Sequence, residues 1–154
     1  MIFLFKVLHL LGVIFIFGHV LTSIFWKSGA DKSNDPKLVA HIHKRLLRAS
    51  RIFSYTGLFL IFVTGFGLVG LHKLKILHTQ WVLIGVILLA LMVALYIFVI
   101  QPFEKRMANL TEKDNEAAQL SPAFYSASRV WYIGLTILAV FLLAGTVVMV
   151  YRPV

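Results

Sequence analysis

The sequence predicts an all-α integral membrane protein, a single antiparallel bundle of four transmembrane helices with both termini outside. Composition is the first reason. Of 154 residues, 60% are hydrophobic and only 14% charged, with a mean hydropathy of +0.89, more apolar surface than a soluble domain can keep from water. The second is a set of four apolar runs, each close to the ~20 residues that a spanning helix needs. The third is where the charge lies. Lys27, Lys32, Lys37, Lys44, Arg45, Arg48 and Arg51 fall between the first two runs, and Lys105, Arg106, Lys113 and Arg129 between the last two. Only Lys6, Lys73, Lys75 and Arg152 fall on the other side. Eleven basic residues against four place the long loops 27–51 and 101–129 in the cytoplasm by the positive-inside rule.

The first span covers residues 2–26. Phe5, His9, Gly12, Ile16, His19 and Ser23 recur at steps of four and three, a seam along one side of a helix. It does not read as a cleaved signal peptide, since no basic residue precedes it and no small-x-small site follows. The second span, 52–71, carries its seam on Ser50, Ser54, Gly57, Ile61, Thr64, Leu68 and Leu71. The third, 81–100, continues from His78 through Trp81, Gly85, Leu88, Met92, Leu95 and Val99. The fourth, 130–151, has Trp131, Gly134, Leu138, Phe141, Gly145 and Val148. Small residues on these seams allow close approach where no hydrophobic effect drives helices together. Trp26, Tyr55, Trp81, Trp131, Tyr132 and Tyr151 sit at span ends, as interfacial aromatics do.

Between spans one and two, Asp35-Pro36 is a helix start, a capping residue followed by Pro at the first helical position. The basic stretch after it is expected to run as helix along the headgroups and into span two. Loop 101–129 is the most polar region, with Glu104, Glu112, Asp114 and Glu116 clustered. Ser121-Pro122 is a second start, so the last helix begins before it enters lipid. The outer connection is short and carries His72 and His78.

Chemistry narrows to the histidines. The chain has no cysteine, which excludes disulfides and thiolate ligands or nucleophiles. The spans contain no acidic residue, against a proton pump or cation-coupled carrier. No phosphate loop or dinucleotide fingerprint appears, and the positive charge fits anionic headgroups rather than nucleic acid. His9 and His19 are the two histidines inside an apolar run, and an imidazole in hydrocarbon is costly unless hydrogen-bonded or ligating. Ser54, Thr56 and Tyr96 lie at depths that would serve His19 as partners. His9 shares its side of the membrane with His72 and His78, which are the candidates for a second axial ligand to a haem iron. The offset in depth is about 7 to 10 Å from the helical rise. Gly12 is expected to leave room for a flat ring, and Lys6, with Lys73 and Lys75, to meet its propionates. Met92 and Met149 are the candidates for copper. His41 and His43 read as plain surface.

The opening Phe5-Lys6-Val7-Leu8-His9 resembles the K-x-L-H first helix of a superfamily of small membrane proteins. That group includes the HemJ-type protoporphyrinogen oxidases and the CopD-type copper resistance proteins. Within it, a family of predicted integral membrane proteins of unknown function is most similar, through Gly18 to Trp26, Asn34-Asp35-Pro36, Thr64-Gly65 and the closing Met149-Val150-Tyr151-Arg152-Pro153. The HemJ resemblance implies a b-type haem and protoporphyrinogen oxidation, with His9 matching the central histidine. Those enzymes open the third helix His-x-Lys, whereas His78-Thr79-Gln80 has Gln80 in place of the Lys, which argues against the oxidase activity. The expectation is therefore a multi-pass protein of the bacterial cytoplasmic membrane that binds haem b in a redox or haem-related role. Haem or porphyrin, the lipid bilayer and another membrane protein are its expected partners. The alternatives are a non-catalytic membrane subunit or assembly factor, or a copper-handling protein.

Overall fold

The computed structural model describes residues 1–114 and 119–151. Glu116, and the Arg152-Pro153 that closes the resemblance, lie outside the described residues. All regular structure in the described part is helical, and four long helices have the length and apolarity to cross a membrane. They are α1 (Ile2–Ser33), α2 (Pro36–Leu71), α3 (Gln80–Lys113) and α4 (Pro122–Tyr151). Each outruns its predicted span at the basic end of the molecule. α1 does not stop at Trp26 but continues to Ser33, and α3 does not stop at Ile100 but continues to Lys113.

The local chemistry of the chain accounts for the breaks. Asn34 takes a left-handed conformation (φ 52°), tolerable for its short polar side chain, and ends α1. Asp35 then caps α2, its Oδ1 accepting from the Lys37 amide at 2.9 Å, with Pro36 in the first turn. From there α2 runs on without a break, so the basic stretch and the second span form one helix. Both central helices contain a π-helical turn, Ser50–Ser54 in α2 and Tyr96–Ile100 in α3. Such turns are rare and concentrate at functional sites.

The helices run up and down in turn. In α1 and α2 the contacts His9–Thr64 and Gly12–Gly57 run in opposite senses along the chain, as do Gly85–Met149 and Ile100–Gly134 in α3 and α4. The predicted seams of α1, α2 and α4 are the faces turned inward, except that Leu71 at the end of α2 is exposed. The seam of α3 is offset by about one residue at most positions: Met92 is buried as expected, but Val82, Leu89, Tyr96 and Ile100 are buried in place of the expected Trp81, Leu88, Leu95 and Val99. A run apolar on every side gives no phase by which to choose between adjacent stripes.

The two halves of the bundle differ. At the basic end all four helices close around Met107, Phe124, Trp131, Ile100 and Val20, each at most 1% exposed. At the terminal end α1 pairs with α2 and α3 with α4, while α2 and α3 touch only slightly. A gap lies between the pairs.

Candidate functional site

That gap is a cavity of about 300 Å³, walled by all four helices and almost wholly apolar. Lys6, His9, Leu10 and Val13 contribute from α1. Ile61, Gly65, Phe66 and Val69 face them from α2, with His72 just past its end, and Gly85, Leu88, Leu89, Met92, Leu142, Gly145 and Met149 from α3 and α4.

His9 is its only buried polar wall residue among those described. Its Nδ1 lies 2.9 Å from the Thr64 hydroxyl, which itself donates to the carbonyl of Leu60. The threonine proton being committed, its oxygen accepts from the ring, so Nδ1 carries the hydrogen. In a neutral imidazole Nε2 then keeps the lone pair, the arrangement by which a second-shell hydrogen bond orients a metal-ligating histidine. Gly65 packs beside the ring: a Cβ there would meet His9 Cε1 at 3.4 Å, an ordinary van der Waals contact.

The other predicted site residues separate. Lys6 and His72 are exposed and stand at the cavity rim. His78, in a short 3₁₀ turn (Ile76–His78), is exposed and is not among the lining residues. His72 lies eight residues beyond Thr64, about 12 Å along a helix axis. Gly12 does not face the cavity; a Cβ there would meet the Gly57 carbonyl at 2.9 Å and the side chains of Leu60 and Ile61, so its space belongs to helix contact. Met92 and Met149 both line the cavity. The Met149 methyl lies against Gly85, seven residues or about 10 Å short of Met92, so the two thioethers do not share a depth. Among the described residues no group of three or more His, Cys, Asp or Glu gathers around a metal-sized point.

The basic half holds polar networks that the sequence reading missed. His19 Nε2 lies 2.9 Å from Ser50 Oγ, which donates at 2.8 Å to Oε1 of Glu104; the same oxygen accepts from Trp131 Nε1 at 3.2 Å. The partner of His19 is thus Ser50, outside the expected span, rather than Ser54, Thr56 or Tyr96. Beside this chain Lys27, with no exposed surface, pairs with Asp31 at 2.5 Å and donates to Ser128. Its ammonium lies 4.5, 5.1 and 5.5 Å from the ring centroids of Tyr132, Phe124 and Trp131, an aromatic cage that offsets part of its lost hydration. His43, expected at the surface, is 3% exposed and packs edge-on against Phe124. Its Nδ1 donates to the Val39 carbonyl at 2.9 Å, while Nε2, like Asp31 Oδ1, is buried without a hydrogen-bond partner among the described residues. The available signal was the step of four along α1 that aligns His19, Ser23, Lys27 and Asp31, which continues past the point where the apolar run stops.

Residues 3–153 match a family model described as "Predicted integral membrane protein (DUF2269)". No curated protein and no solved structure matches the chain.

Proposed function

Since the chain belongs to the DUF2269 family of predicted integral membrane proteins, we propose a membrane function for its cavity: the binding of one flat, apolar ligand between the helix pairs, with haem b as the specific reading. The observation that carries it is His9, a buried imidazole at an apolar cavity whose Nδ1–H is held by Thr64. The residues fit a haem bound through one protein ligand. Nε2 of His9 would hold the iron, Lys6 at the rim would pair with a propionate, and Gly65, Gly85 and Gly145 leave wall area without side chains. His72 stands too far along the axis to face the same iron with His9 held sideways by Thr64, and His78 belongs to the loop. A cavity of about 300 Å³ is at the lower end of small-molecule sites, so a bound macrocycle would need α2 and α3 to part, where contact is slight.

Bound haem would supply one-electron chemistry or act as cargo. The chain's own part is to orient the imidazole, exclude water and neutralise a carboxylate. We assign no oxidase reaction: Gln80 opens α3 as an exposed residue and is not among the residues lining the cavity, and an amide offers no charge where the HemJ-type pattern has a lysine. The basic end is assigned to the cytoplasm of a bacterial cell, which puts the cavity in the outer leaflet.

The test is a reduced-minus-oxidised absorption spectrum of purified protein expressed with haem precursor. Wild type, His78→Ala and His72→Ala are expected to show b-type bands and His9→Ala to lose them. A colourless wild type, or bands that persist in His9→Ala, would overturn the reading.

A further inference from the structure

The buried charges of the basic half do not balance. Lys27 is matched by Asp31, but Glu104, 5% exposed, has no cation within ion-pair distance among the described residues, where the ion pairs are Lys27–Asp31 and Lys44–Glu112. Its chain neighbours Lys105 and Arg106 are exposed. The carboxylate receives two neutral donors, Ser50 Oγ and Trp131 Nε1, and the nearest buried ammonium, Lys27, lies over the ring of Trp131. A carboxylate this dry with neutral donors alone is costly to keep charged. The groups that face it come from all four helices: His19 through Ser50 and Lys27 through Trp131 from α1, Ser50 from α2, Tyr96 from α3 and Trp131 from α4. Both π turns stand at this level. Ser50 opens one and Tyr96 the other, and the Tyr96 hydroxyl donates to the Ser50 carbonyl at 3.4 Å.

We propose that the chain His19–Ser50–Glu104 is a proton-binding site, holding one exchangeable proton taken up from the aqueous side at the basic end. Two forms share that proton. In one, the Glu104 carboxyl donates to Ser50, and Ser50 to the lone pair on His19 Nε2, while Nδ1–H faces Ser23 Oγ at 3.3 Å. In the other, the carboxyl proton has passed to Ser50 Oγ and the Ser50 proton to Nε2, leaving a carboxylate and an imidazolium. Two O–H bonds break, one O–H and one N–H form, and no hydrogen is gained or lost. Along α1, Ile16, without exposed surface, separates His19 from Val13 at the cavity wall, so the site exchanges with the basic end and is independent of any ligand beside His9.

The experiment is pH-difference infrared spectroscopy of the protein in lipid nanodiscs, following the carboxyl C=O stretch. Wild type is expected to show a titrating carboxyl signal that is lost in Glu104→Gln, where the amide oxygen still accepts from Ser50 and Trp131. It should persist unmoved in Glu112→Gln, and its midpoint should shift by about one pH unit or more in Ser50→Ala and His19→Gln. A wild type without such a signal, a signal that survives Glu104→Gln, or a midpoint indifferent to both Ser50→Ala and His19→Gln would overturn the proposal.

Discussion

The carbonyl oxygens of Gly12 and Gly57 each stand 2.9 Å from the point where the other residue's Cβ would be. The backbones of α1 and α2 therefore touch, and the contact is reciprocal. Replacing Gly57 by Leu forces a side chain onto the Gly12 carbonyl and onto Ile16, whose Cγ1 would lie 2.5 Å from the new Cβ. Overpacking of this kind costs about 1–3 kcal/mol. Thermal unfolding in detergent should show Gly57→Leu markedly destabilised. Gly70→Ala should be no less stable than wild type, since among the described residues nothing lies within 4 Å of its Cβ position.

Thr64 carries the orientation of His9. Thr64→Val keeps the shape but orphans a buried ring N–H, which costs about 1–3 kcal/mol. If haem binds through Nε2, retention should also fall about 10–100-fold, as expected when an outer-shell partner is lost. Thr64→Ser restores the hydroxyl and should recover both. Haem titration alongside a melting curve separates the two effects; retention unchanged in Thr64→Val would detach the threonine from the site.

Lys27 lies in the loop by sequence and in the core by structure. Lys27→Met leaves the Asp31 carboxylate without its partner, for an expected loss of about 3–5 kcal/mol. The double variant Lys27→Met, Asp31→Asn removes both charges and should regain much of it. A double variant no more stable than Lys27→Met alone would place the contribution of Lys27 in its contacts with Phe124, Trp131 and Tyr132 instead.

Orientation can be read with single cysteines, because the native chain has none. Leu77→Cys, in the short connection, should react with an impermeant maleimide in intact cells. Ser33→Cys and Lys113→Cys should react only after lysis. The opposite pattern would move the His9 cavity to the cytoplasmic leaflet.

Four spans, their antiparallel order and the cap at Asp35-Pro36 were all legible, because each rests on a local signal: run length, helical period, or one residue's conformational preference. Glu104 and Lys27 were not. Both lie past the end of an apolar run, where a charge is expected to find water, and only the continuation of α1 and α3 beyond the hydrocarbon buries them against α4. The two π turns left no trace either: Ser50–Ser54 and Tyr96–Ile100 carry no residue pattern that sets them apart from the α-helix around them. His9 was visible as a histidine inside an apolar run, but Thr64 became its partner only once the pairing of α1 with α2 was known.

Helices knotted together along one half and parted along the other have the mechanics of a tuning fork. Stiffness resides in the stem, where Lys27, Glu104 and Trp131 tie α1, α3 and α4 together. Compliance resides in the tines, where α2 faces α3 across apolar surface and the two helices touch only slightly. The width of the gap beside His9 is thus an elastic quantity. A guest somewhat too large for it would bend the tines, and the deformation would fade toward Ser50 in the closed half.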